Sequence, residues 1–145
     1  MKILISIDTG ASAEYILRQS QLFLRNIQEP EVHVMTVVDL ALLTSTQVSD
    51  QTMMVDTMQR LANDLQPLAA SILGEGKFTF SSELGYPVEQ ILQKAQAVNA
   101  ELLILGTHGR TGMDHFLIGS VAEKVLRHAD CDTLVVPMKK RQQKP

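Results

Sequence analysis

Residues 101–125 hold the side chains and spacings that point to chemistry. They read as an acid (Glu101), an apolar run over 102–105, glycines at 106, 109 and 112, and then Gly119-Ser120 leading into an amphipathic segment. The apolar run is too short and uniform for a surface helix, so a buried strand ending in a tight loop is predicted. Gly119-Ser120 then opens the next helix. Turns that glycine takes cheaply, followed by a hydroxyl at a helix start, build a concavity lined with N–H groups. Such a concavity suits an anion, most often a phosphate. His108 and Arg110 sit in the same loop. Against a phosphate, His108 offers a main-chain or imidazole contact and Arg110 a charge-assisted hydrogen bond. In their plainer readings both are ordinary surface residues, and Ser120 is a simple helix cap.

Alternating elements must position that loop. A first strand over 2–7 halts at Asp8-Thr9-Gly10. Ser12 is placed to cap a helix with inward positions Ala13, Ile16, Leu17, Ser20, Leu24 and Ile27, and Pro30 closes the unit. A second strand over 31–38 follows, ended by Asp39, and then a polar connection over 43–49. The spacing of Met54, Met58, Leu61, Leu65, Leu68 and Ile72 predicts a long helix over 50–73 that Pro67 interrupts or kinks. Met53, Met54 and Met58 are expected to be partly core and partly a lid over the groove.

Beyond the turn at 74–76, residues 77–82 alternate as a third strand, with Phe78 and Phe80 on one face. Pro87 suits the first turn of a helix whose buried stripe is Val88, Ile91, Leu92, Ala95 and Val98. After the glycine loop, a helix faces Val121, Ala122, Val125, Leu126 and Ala129 inward, and 132–136 is the fifth strand. Helices alternating with apolar strands demand an open, doubly wound, five-stranded parallel sheet with helices on both faces. Ligands of such sheets gather outside the carboxyl ends of the strands where strand order reverses, which draws Asp8, the residues after Val37 and the loop from Gly106 together.

Composition bounds the alternatives. The 145 residues are one domain's worth of chain, with net charge −3. A single domain over 1–137 with a basic, disordered tail over 138–145 is expected. The mild acidity argues against a broad nucleic-acid face, and no apolar run approaches membrane-spanning length. MKILISID stops at an acid without a cleavage site, so it is read as a strand and the location as cytoplasmic. Cys131 is the single cysteine. It excludes an internal disulfide, and burial is favoured for it over redox sensing. His33, His115 and His128 have no metal-ligand spacing, so no metal site is assigned.

With those residues in place, the sequence resembles the universal stress protein family, in particular its ATP-binding branch, up to Pro137. The family's signature is Gly, two residues, Gly, nine residues, then Gly followed by Ser or Thr; here it is GTHG, RTGMDHFLI and Gly119-Ser120. Asp8 ending the first strand and the segment GSVAEKVLRHADCDTLVVP complete the likeness. The resemblance implies the five-stranded, adenine nucleotide alpha-hydrolase-like fold. It implies ATP as ligand, with Mg2+ held mainly by the phosphates. By the same resemblance Asp8 lies near ribose and adenine, Ile7 and Val37 surround the base, and Gly106, His108 and Gly109 lie near ribose and phosphates. Gly119, Ser120 and Val121 then cradle the phosphates. Two departures are Ala122, where some ATP-binding relatives carry a hydroxyl, and Asp132-Thr133, where Pro-Val is common.

Three function classes follow: an ATP-binding stress-response protein acting as a dimeric switch toward a downstream protein, a slow ATP hydrolase, and a nucleotide-free dimeric scaffold. The loop lacks the G-x-x-x-x-G-K-[ST] arrangement, so no P-loop lysine reaches the terminal phosphates. No carboxylate–histidine–serine set accompanies it, so no catalytic residue is assigned and efficient turnover is not expected. An apolar last strand, Thr133 to Val136, is an aggregation hazard if left exposed at a sheet edge. It is expected to pair antiparallel with its copy in a homodimer, as it does in many members of the family.

Overall fold

The computed structural model describes residues 1–9, 11–41, 50–107 and 118–138. β1 (Lys2–Ile7) leads to α1 (Ala11–Leu24), β2 (Glu31–Asp39), α2 (Gln51–Leu73) and β3 (Phe78–Gly85). α3 (Pro87–Ala97), β4 (Leu102–Gly106), α4 (Ser120–His128) and β5 (Asp132–Val136) complete the order. The five strands form one sheet in the order β3-β2-β1-β4-β5, and every pairing is parallel. The chain builds outward from β1 to β3, then crosses back to lay β4 on the other side of β1. The reversal of strand order therefore falls between β1 and β4.

Each strand alternates between two cores. Ile3, Ile5 and Ile7 of β1 face α1 and α2, where they meet Ile16, Leu17, Leu65 and Ala69. Leu4 of β1, Met35 of β2 and Leu103 and Leu105 of β4 face α3 and α4, against Ile91, Ala95, Ala122 and Val125. β1 is nearly continuous in apolar residues because both of its faces are covered, which is the parallel-sheet signature.

The helices are fixed by local chemistry at their ends. Asp50 caps α2 by accepting the Thr52 N–H at 2.9 Å, and Gly74, at φ 102, ends it. Pro67 lies inside α2 without ending it; its exposed ring faces solvent and the helix runs on to Leu73. Pro87 starts α3, as predicted from its fixed φ. β3 reaches Gly85, past the expected end at Ser82, because its register with β2 continues to Asp39 opposite Gly85.

Two inward assignments are corrected. Leu126 is 45% exposed; it lies at the margin of the α4 stripe, beyond Ala122, and the sheet does not reach it. Met53 is also exposed, while Met54 and Met58 are half-buried. The buried residues of α2 are Leu65, Ala69 and Ile72, all in its second half, so the apolar spacing continues past the part of the helix that the sheet covers.

Candidate functional site

The candidate crevice lies at the carboxyl ends of β1 and β4. Leu103 and Ile104 of β4 sit beside Leu4 and Ile5 of β1, so the strands deliver Asp8 and Thr107 to neighbouring positions on the same edge. The start of α4 closes the crevice, and Thr107 holds it there. The Thr107 carbonyl accepts the Gly119 N–H at 2.7 Å and its own N–H donates to the Val136 carbonyl at 3.0 Å. The Thr107 hydroxyl accepts the Met138 N–H at 2.9 Å. One residue thus ties the end of β4 to the start of α4 and to the exit of β5. The sequence reading passed over Thr107 as a variable position between two glycines; a hydroxyl directly after the strand at the switch point was the available signal.

Gly106 is needed there for space. A Cβ built on it would lie 2.8 Å from Ile16 Cδ1 and 3.2 Å from Met138 Cγ. Gly119 is the N-cap of α4, with φ −60 and ψ 159. That is extended backbone open to any residue, so the idea that its conformation requires glycine is corrected. Its carbonyl accepts the Glu123 N–H at 2.9 Å, while the cap makes no side-chain hydrogen bond. The cap being Gly119, Ser120 is the first helical residue and not the cap itself, and it is exposed. The first N–H groups of α4 have no intrahelical acceptor and carry the positive end of the helix dipole. Val121 is half-buried against the α3/α4 core and Ala122 is part of it. Ala122 is 2% exposed, its methyl packed into that core.

At the opposite wall, Asp8 is half-buried and its Oδ1 accepts the Thr9 N–H at 2.7 Å. Ile7 is 3% exposed and faces the α1/α2 core, whereas Val37 packs half-buried on the α3/α4 face. The two side chains expected around a base therefore project to opposite faces of the sheet. At the crevice they have in common their strand-end backbone. His108, Gly109 and Arg110 lie outside the described residues.

Other polar residues fall away from this edge. His33 bonds Glu31 through Nε2 at 3.0 Å and Thr79 through Nδ1 at 2.6 Å. The bond to His33 lowers the Glu31 carboxyl below its ordinary value. Burial, aided by the charges of Asp132 and Asp130, pushes the Cys131 thiol up. His128 is exposed at the end of α4, and His115 lies outside the described residues. Among the described residues, no three His, Cys, Asp or Glu side chains are grouped to hold a metal ion. No helix among them is long and apolar enough to cross a membrane.

Comparison with known proteins agrees with this architecture. A universal stress protein of Methanocaldococcus jannaschii is 41% identical over 58 residues, which span 40% of this chain and 34% of that protein. A putative universal stress protein of Staphylococcus aureus is 29% identical over 138 residues, covering 92% of this chain and 82% of its own. Among solved structures, a hypothetical protein used as a test of assigning biochemical function from structure superposes with TM-score 0.80. It is 26% identical, over 95% of this chain and 96% of that one. A universal stress protein in complex with cAMP gives TM-score 0.64 at 19% identity, over 94% and 96% of the two chains. One from Archaeoglobus fulgidus in complex with dAMP gives 0.60 at 18%, over 93% and 96%; at these identities the likeness is one of fold. The sequence pattern of the universal stress protein family matches residues 1–137. With the all-parallel sheet, the reversal at β1 and β4 and the helix start pinned beside it, that match over nearly the whole length means that the chain belongs to the universal stress protein family.

Proposed function

We propose that this chain is a cytoplasmic ATP-binding stress-response protein, a homodimeric switch whose nucleotide state alters its contact with a downstream protein. The observation that carries the reading is the pinning of α4: the 2.7 Å bond from Gly119 to Thr107 aims unpaired helix N–H groups at the edge where β1 ends in Asp8. A phosphate chain suits the helix start, since backbone N–H donors and the dipole both favour an anion. Asp8, across the switch point, suits a ribose hydroxyl. His108, Gly109 and Arg110 complete the phosphate side in this reading. Mg2+ is carried mainly by the phosphates, because the chain supplies Asp8 as the one carboxylate proposed there. The fold relatives bound to cAMP and dAMP support an adenine nucleotide as the ligand class.

The homodimer joins through the last strand, Thr133 to Val136. β5 is an edge strand of the sheet and an unpaired apolar edge invites pairing with a copy of itself.

Mass analysis of small molecules released on denaturing freshly purified protein tests the nucleotide reading directly. Calorimetry with ATP, adenosine and inorganic phosphate then divides the site. Gly109→Ala/Gly119→Ala should weaken ATP and phosphate together, and Asp8→Ala should weaken adenosine and ATP while sparing phosphate. Unchanged ATP affinity in the folded double-glycine variant sinks the proposed site. ATP should also outlast many minutes of incubation with magnesium, with turnover far below the roughly 1–10³ per second usual for enzymes. Robust phosphate release would move the assignment to an ATP hydrolase.

A further inference from the structure

A shallow cavity of about 360 Å³ opens between the closing turns of α3 and α4. It precedes β4 and β5 in the chain and so lies at the amino-terminal end of the sheet, a strand length from the proposed nucleotide crevice. Leu92, Ala95 and Cys131 give it an apolar wall, and Gln96, Asn99 and Asp130 a polar rim.

The surroundings of this cavity are electronegative. Two helices end on it, and the last carbonyls of a helix favour a cation. Asp130 lines it and is exposed, and the Gln96 amide fixes Asp130 by donating to Oδ2 at 3.3 Å. Among neighbouring bases, Arg127 is engaged by Glu123 at 2.9 Å, and His128 lines the cavity.

The chain carries a complement to this charge. Pro137 and Met138 are followed by Lys139, Lys140 and Arg141. The bond from Met138 to Thr107 continues the heading of β5 past Val136, so within one subunit Met138 lies at the end of the sheet remote from the cavity. In the β5-paired dimer proposed above, on which this inference rests, the segment arrives elsewhere. Antiparallel strands exchange one step forward for one step back. A two-fold axis sets one residue of the strand opposite its own copy; with Val135 opposite the partner's Val135, Cys131 falls opposite the partner's Lys139 and Asp130 opposite the partner's Lys140.

We propose that residues 139–141 of each subunit dock on the α3/α4 cavity of the other, their charged heads at Asp130 and the closing carbonyls of α3 and α4 and their alkyl stems along Leu92 and Ala95. The dimer is then clipped at both ends of the β5 pair, and the clip is sensitive to salt. Long basic side chains suit a site that is apolar within and acidic at its rim.

The test is the dimer dissociation constant, read by sedimentation or light scattering over a dilution series of the full chain. Lys139→Glu/Lys140→Glu/Arg141→Glu should raise it about tenfold at low salt, the scale of a few interfacial charge pairs. Asp130→Lys should raise it in the same direction, combining it with the tail variant should restore part of the affinity, and high salt should erase the differences. The tail variant alters no residue of the described strands and helices, so it keeps the test valid if the aspartate variant misfolds. A dimer whose dissociation constant moves less than twofold in the tail variant overturns the clip and leaves the β5 dimer standing. A wild-type chain that is monomeric at micromolar concentration overturns the β5 dimer and the clip with it.

Discussion

Gly106→Ala isolates the packing demand at the end of β4 from any demand on backbone conformation. The residue is not among the positive-φ glycines, which among the described residues are Gly74, Gly76 and Gly85, so alanine meets no backbone strain there. It meets Ile16, whose Cδ1 would stand 2.8 Å from the new methyl. Ile16 is 2% exposed and has no room to swing outward; Met138 Cγ, at 3.2 Å, crowds the other side. Overpacking a full site of this kind costs roughly 2 kcal/mol. For a domain of this size that is a fall in melting temperature of about 6 °C.

Ile16→Val deletes the clashing carbon and alone costs about 1 kcal/mol. If the two sites were independent, the double variant would lose about 3 kcal/mol. The structure instead has the new methyl occupying the space that Cδ1 leaves. The double variant should therefore be no worse than Ile16→Val alone, a coupling of roughly 2 kcal/mol. Urea denaturation of all four proteins at one temperature measures the cycle. Losses that add to within about 0.5 kcal/mol would refute close approach as the reason for glycine at this position.

Thr107→Val removes the acceptor for the Met138 N–H and should cost about 1 kcal/mol; hydrogen exchange should show the loss as faster exchange at Met138 than at β1 amides. Asp50→Ala removes the cap of α2 and should also cost about 1 kcal/mol in chemical denaturation, whereas Asp50→Ser should recover most of it. Cys131 holds its proton more firmly folded than unfolded. Its contribution is therefore full below the ordinary thiol range and is lost as pH rises through the raised value. Iodoacetamide alkylation of the folded protein should rise with pH later than that of a free cysteine; a profile at or below the free thiol's would contradict the burial.

The layout was legible because strands and helices carry different periods in this chain. The run at β1, the alternation Phe78 and Phe80 and Pro87 at the start of α3 each obey a local rule, and the sheet obeyed them. Misreadings arose where tertiary context decides. Helical spacing put Leu126 on an inward stripe, and Met53 was expected to be partly core, but spacing does not say where the sheet stops. A proline in mid-helix predicts a break or a kink; the break is absent, since α2 runs through Pro67 to Leu73.

The site shows the same limit in a sharper form. Glycine spacing singled out Gly106 and Gly119, but a glycine in a sequence does not declare whether it supplies a left-handed φ or only the absence of a side chain. Among the described residues the positive φ values fall at Gly74, Gly76, Glu29 and Asn99, outside the strands and helices, and at Gly85, the last residue of β3. Neither of these two site glycines needs one. Gly106 lets Ile16 and Met138 close over the end of β4, and Gly119 caps α4 without placing a side chain at the helix start. Thr107 aims the helix through its carbonyl and holds the exit of β5 through its hydroxyl. A nucleotide bound at this edge would thus press on a residue already bonded to the exit of β5, the proposed dimer strand. This gives the switch reading a short physical route: Thr107→Val should weaken the coupling between ATP binding and dimer dissociation more than it weakens either alone. Equal dimer dissociation constants with and without ATP in the wild-type chain would remove that route altogether.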